Sequence, residues 1–229
     1  MVRVRHERQH DERLRIRQRR WRVDVLPAGA DARSRTVVAS GRRAVATVKT
    51  QAATLGGALG AFWATLGINT LVGGALYQFG VVPRSLTGLR GILFAPFIHG
   101  SVAHLVANTI PFVALGWLVM LQGRGRIARV TLAAMLGSGL CAWLLGAPGS
   151  VHIGASGVIF GYLGYLMVSG WFERNLLNIA LSVGVTAAWG GLVFGVMPGQ
   201  PGISWQAHLG GFVGGVLAAR SLRRMSRVT

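Results

Sequence analysis

Between residues 52 and 219 the chain has one acidic residue, Glu173, and no aspartate. The other five acids, Glu7, Asp11, Glu12, Asp24 and Asp31, all lie in the first 31 residues. A soluble domain usually carries about a quarter charged residues, and this 229-residue chain carries 13% with 52% hydrophobic. The long tract therefore has too little charge to form a water-facing surface. A membrane-spanning helix needs about 20 apolar residues, and roughly 17–25 is the usual range. Six stretches fit, at about 52–80, 103–122, 127–146, 155–172, 175–197 and 205–220; the last is the shortest. The expectation is an all-α, polytopic membrane protein with six transmembrane helices. The first apolar run starts too far from the N-terminus for a signal peptide.

The net charge of +18 raises nucleic-acid binding as an alternative. Its distribution argues against that. Fourteen Lys and Arg lie in residues 1–50, and Arg124, Arg126, Arg129, Arg174, Arg220, Arg223, Arg224 and Arg227 flank apolar runs. In a six-span chain these fall on one side. On the other side, 82–102 holds Arg84 and Arg90, and 147–154 and 198–204 hold no charge. The positive-inside rule then puts both termini in the cytoplasm. Residues 1–50 read as a basic cytoplasmic tail, solvated and disordered or lying as an amphipathic helix on anionic lipid. Residues 51–220 read as the six-span domain and 221–229 as a second basic tail. The one cysteine, Cys141, sits in an apolar run and reads as a packing residue.

Ionisable and polar side chains inside a span are expensive and mark functional sites by default. Gly154-Ala155-Ser156-Gly157 opens the fourth span. Ser156 there would meet the positive end of a helix dipole and backbone N–H groups free to hold an oxyanion. Serine at a helix start also serves simply as a cap. Position 158 is Val, so the G-x-S-x-G elbow of the α/β-hydrolases is absent. His208 lies in the last span, among Gly210, Gly211, Gly214 and Gly215. A neutral His can take a hydroxyl proton and return it to a leaving amine. G-x-x-x-G spacing allows close helix approach, and Gly157 with Gly161 forms a matching face. His99, His104 and Asn108 cluster where the second span begins, with Ser101 placed to cap it. His104 and Asn108 share one helix face and can donate to an oxyanion. No acid lies near this face, which excludes a Ser-His-Asp triad and paired aspartates. A metal site from His99, His104 and His152 would lack carboxylate and thiolate ligands, so no metal is expected.

Six spans, H-x4-H-x3-N opening the second, G-x-S-G opening the fourth and A-H-x-x-G-x-x-x-G in the sixth resemble the rhomboid family of intramembrane serine proteases. The resemblance covers roughly residues 52–220. It implies Ser156 as nucleophile and His208 as general base. It implies His104, Asn108 and the Ser156 N–H as the oxyanion site, with His99 and Gly154 in support. Phe160 matches the aromatic under the catalytic His, and Gly157, Gly161, Gly211 and Gly215 match the packed faces. The family's Trp-Arg pair in the first external loop is absent, where this chain reads Pro83-Arg84-Ser85-Leu86-Thr87-Gly88-Leu89-Arg90-Gly91. The implied protein is integral to a bacterial plasma membrane, needs no cofactor, and acts on transmembrane segments of other proteins within the lipid bilayer. Two rivals are weighed. A non-catalytic relative that binds transmembrane helices would be expected to lack Ser156 or His208. A transporter would need an ion-coupling carboxylate near the midplane.

Overall fold

The computed structural model describes residues 32–123 and 125–225. The basic run Arg3–Arg22, Arg124 and Arg227 lie outside the described residues. The chain divides into two units, Met1–Thr50 and Gln51–Thr229. The described part of the first unit is helical, and its Thr47 and Thr50 hydroxyls donate to carbonyls four residues back, Arg43 and Ala46. That return bond satisfies a hydroxyl within its own helix.

All regular structure among the described residues is helical. Helix α1 (Ala32–Leu71) contains the unit boundary. It is followed by short 3-10 turns and α2 (Gly91–Phe94), then α3 (Val102–Leu121) and α4 (Arg126–Leu145). Next come α5 (Ser156–Glu173), α6 (Leu176–Trp189) with a 3-10 extension Gly190–Val196, and α7 (Trp205–Met225). The ends of α3 to α5, and of α6 taken with its extension, lie within one or two residues of the apolar runs. The first run is different: α1 stops at Leu71, and 72–80 turns away. Gly73 and Gly74 take φ of 63° and 87° there, a conformation only glycine adopts freely. The Asn69 side chain then accepts the Leu76 N–H at 2.9 Å.

Among the described residues, three helices are long and apolar enough to cross a membrane by length and composition: Val102–Leu121, Arg126–Leu145 and Leu176–Val196. The expected six are thus not all evident from the helices alone. α5 has only 18 residues and ends in Glu173, and α7 runs on through Arg220 and Arg223.

α5 is the central helix of the second unit. Twelve of its eighteen residues are buried, so it is enclosed on nearly all sides. Leu163, Tyr165 and Leu166 have no exposed surface, and Leu105, Leu115 and Val119 of α3 share the same core. α7 packs most extensively on α5 and α4. Glycine makes both approaches possible. A Cβ on Gly211 would meet the Gly157 carbonyl carbon at 2.8 Å, and one on Gly215 would meet that of Gly161 at 2.7 Å. The neighbouring row faces α4, where a Cβ on Gly210 would meet the Gly137 carbonyl carbon at 2.8 Å. One helix therefore presents two glycine rows to two partners.

The loop between α1 and α3 is docked by polar contacts. Arg84 donates to the carbonyls of Leu144 (3.2 Å) and Gly146 (3.0 Å) at the end of α4. Those carbonyls lack helical partners and carry the negative end of the dipole. Trp143 donates its indole N–H to Ser85 O at 2.8 Å. At the opposite end of α4, the Arg126 guanidinium pairs with Glu173 and donates to the Tyr165 hydroxyl. Asn178 donates to the same carboxylate at 2.8 Å. The only acid in this unit is thus neutralised by α4 and bonded by α6 as well.

Candidate active site

Ser156 is the first residue of α5. The chain enters it through Gly154, at φ +108°, and fully buried Ala155. Gly154 is needed for space as well as for its φ. A Cβ there would meet His104 Cε1 at 2.7 Å and Nε2 at 2.8 Å. The loop backbone therefore runs directly against the His104 ring. The first N–H groups of a helix have no intrahelical partners, so Ser156 stands where free donors converge.

His99 has no exposed surface. Its Nε2 accepts the Ala155 N–H at 3.4 Å, and its ring packs on Phe62 and His104 at centroid distances of 5.3 and 5.1 Å. Burial, and secondarily His104, lower its pKa to about 4. His99 is therefore a neutral acceptor behind the loop that delivers Ser156, rather than a group facing the cavity.

α3 begins at Ser101, whose hydroxyl accepts the His104 N–H at 3.1 Å. This cap fixes the first turn and the faces that follow. His104 and Asn108 both line a cavity of about 800 Å³. Asn108 is buried, and its Nδ2 has no partner among the described residues. A buried donor without a partner is costly, and here it faces a space that an acceptor can enter. Pro111, one turn later, also lines the cavity. It has no N–H and so frees the Ala107 carbonyl, another cavity-lining residue.

His208 is buried in the first turns of α7. Its ring stacks on Phe160, with centroids 4.0 Å apart and planes 12° from parallel. Its Nδ1 lies 2.9 Å from the Gly195 carbonyl oxygen. A carbonyl only accepts, so Nδ1 carries the proton and Nε2 keeps its lone pair. This is the tautomer a general base needs. A backbone carbonyl thus does the orienting done by Asp in a triad. Gly195 is tightly constrained: a Cβ there would meet Phe160 Cζ at 2.7 Å and His208 Nδ1 at 3.3 Å.

Ser156, His208, Phe160, His104 and Asn108 all line the one cavity. The described residues form no Ser156–His208 hydrogen bond, and apo enzymes often close such bonds only around substrate. Gly157, Gly161, Gly211 and Gly215 lie at the crossing of α5 and α7, next to the cavity rather than in it. Sequence reasoning missed Gly195 and the α4 glycine Gly137. Gly137 had a readable signal in Gly137-Ser138-Gly139. Gly195 had none, because it contributes only its carbonyl and its lack of a side chain. His152 also lines the cavity, and burial holds its pKa below the usual histidine range.

A family model described as a Rhomboid domain matches residues 87–225. An uncharacterised protein of Mycobacterium tuberculosis is 43% identical over 168 residues, covering 70% of each chain. An uncharacterised protein of Mycobacterium leprae is 45% identical over 149 residues, covering 62% of this chain and 59% of its own. The rhomboid protease GluP of Bacillus subtilis is 30% identical over 157 residues, covering 64% of this chain and 29% of its own.

Proposed function

The chain belongs to the rhomboid family, and from that premise we propose that it is an intramembrane serine protease using a Ser156–His208 dyad. One observation carries the reading. His208, stacked on Phe160 and oriented by the Gly195 carbonyl, shares a cavity with Ser156 at a helix mouth. The likeness to a named rhomboid protease supports the same reaction class.

The reaction proceeds in two halves. Ser156 Oγ attacks the scissile carbonyl while His208 Nε2 takes its proton, forming the new C–O bond. The oxyanion is held by His104, the unpartnered Asn108 amide and the Ser156 N–H. The C–N bond then breaks, and His208 gives its proton to the leaving amine. Water attacks the acyl-enzyme while His208 takes its proton; the ester C–O bond then breaks, and His208 returns that proton to Ser156 Oγ. Stacking on Phe160 and the bond to Gly195 fix the imidazole plane, so little reorganisation is needed at reaction.

The substrate is the transmembrane segment of another membrane protein. Its backbone must leave the helical state to reach Ser156. Non-helical backbone is tolerated at membrane depth only inside protein or a water-filled cavity, and an 800 Å³ cavity supplies that space. Six helices span the membrane in this reading: residues 52–71 of α1, then α3, α4, α5, α6 with its extension, and α7. At 1.5 Å per residue, 18-residue α5 is about 27 Å long, close to the roughly 30 Å hydrocarbon core. Enclosure by other helices lets it be short. The arginine bias places both termini in the cytoplasm, consistent with a bacterial plasma membrane, and the cavity at the external side.

The test is cleavage of a model transmembrane substrate by the purified protein in detergent. Ser156→Ala and His208→Ala should each abolish the product. Undiminished cleavage by the Ser156→Ala protein would refute the proposal.

A further inference from the structure

Four residues before the proposed nucleophile, His152 joins three loops. Its backbone makes a two-way bridge with Val81: each N–H donates to the other's carbonyl at 2.9 Å. Its ring lies between two serines, with Nδ1 2.6 Å from Ser204 Oγ and Nε2 3.0 Å from Ser150 Oγ. The surrounding bonds fix the proton positions. The Ser150 hydroxyl donates to the Ala147 carbonyl at 2.7 Å, so its oxygen is left to accept from Nε2–H. Nδ1 is then an acceptor, and the Ser204 hydroxyl donates to it. Ser204 Oγ in turn accepts the Ala207 N–H at 3.3 Å. A single neutral tautomer satisfies the whole chain of bonds.

This chain of bonds ties together the two segments that must meet in the reaction. Ser204 stands at the start of α7, and its carbonyl accepts the His208 N–H at 3.0 Å. It is therefore one helical turn from the proposed base. On the other side, only Ile153, Gly154 and Ala155 separate His152 from Ser156. Ala155 is fully buried and held by His99, so that short segment has little slack. A shift of the His152 ring relative to Ser204 moves the mouth of α5 relative to the mouth of α7.

We propose that His152 and Ser204 form a positioning clamp that sets the separation of Ser156 Oγ and His208 Nε2. Neither residue touches the reacting atoms. The inference rests on reading Ser156 and His208 as nucleophile and base. A role for Ser204 as helix cap alone would be independent of His152, so the two roles separate experimentally.

The test uses the full chain in detergent micelles and an organic fluorophosphonate probe, resolving the maximal labelling rate of Ser156 from the half-saturating probe concentration. His152→Leu and Ser204→Ala should each lower the maximal rate roughly 10–100-fold, as expected for a misplacement near 1 Å. The half-saturating concentration should stay within about threefold, because probe binding is not what the clamp controls. The double variant should be no slower than the slower single, since both remove one interaction. Ser204→Thr keeps the hydroxyl and His152→Asn keeps an acceptor near Nδ1, so both should recover most of the rate. A wild-type rate in His152→Leu, multiplying losses in the double variant, or no rescue by Ser204→Thr would each overturn the clamp. Should His152→Leu fail to fold, Ser204→Ala and Ser204→Thr, one oxygen and one methyl from wild type, carry the same decision. Absence of any labelling in the wild type would instead overturn the nucleophile assignment, and the clamp with it.

Discussion

Substituting Gly211 by Ala places a methyl group where α7 meets α5. The new carbon would lie 2.8 Å from the Gly157 carbonyl carbon and 3.2 Å from its Cα. Non-bonded carbons settle at about 3.5–4.0 Å, so the helices must part locally by roughly 1 Å. Neither neighbour can yield by rotating a side chain, because both contacts are backbone. Overpacking of this kind typically costs about 1–3 kcal/mol in stability. The effect on rate should be larger than the effect on folding. Gly157 directly follows Ser156, and Gly211 lies one turn after His208, so the parting opens the proposed dyad itself. A displacement near 1 Å can cost on the order of 10²-fold in rate. Gly184→Ala is the matched control, since a Cβ there meets nothing within 4 Å and the position is exposed. In a helix interior that change should be neutral or stabilise by up to about 1 kcal/mol. Both variants would be assayed by single-turnover cleavage of a transmembrane substrate and by thermal unfolding in detergent. A wild-type rate for Gly211→Ala, or equal losses in the two variants, would refute the claim that the glycine contact sets the site.

Three further outcomes follow from particular contacts. Asn108→Ala removes the unpartnered donor and should lower the turnover rate about 10²–10³-fold with little change in KM; a change confined to KM would assign Asn108 to substrate binding. Phe160→Leu keeps bulk but loses the stack on His208, worth about 0.5–1.5 kcal/mol, so turnover should fall roughly 2–10-fold; an unchanged rate would show that the Gly195 carbonyl alone orients the ring. Glu173→Gln leaves half-buried Arg126 without its counter-charge, which should cost about 1–3 kcal/mol, less than breaking a fully buried pair. Its unfolding midpoint should drop while Ser156 labelling at low temperature stays near wild type, because Glu173 lies at the far end of α5.

The positions of α3, α5 and α6 were readable because their apolar runs are bounded by residues with a physical reason to stop them. Ser101 caps α3, Asn175 caps α6 through its side chain, and Arg174 ends α5 in the left-handed region. The run at 52–80 misled because apolar residues continue past the Gly73-Gly74 turn, and hydropathy does not register backbone direction. Ser156, His208, His104 and Asn108 were legible because each is a polar group in a costly place. The partners that hold them were not. Gly195 acts through a carbonyl that every residue possesses, and only the fold determines which one meets Nδ1. His152 entered the sequence reading only as a member of a rejected metal site, because its partner, Ser204, is 52 residues away. Arg84 read as the place where a familiar pair was missing, yet its guanidinium reaches the end of α4.

The central claim is that Ser156 is a nucleophile activated by His208. Fluorophosphonate treatment of the purified protein, followed by peptide mass mapping, tests it most directly. A single adduct on the peptide containing Ser156, lost in His208→Ala as well as in Ser156→Ala, is the predicted result. An unlabelled Ser156 in protein that is folded and dispersed in detergent, or labelling that persists without His208, would contradict it.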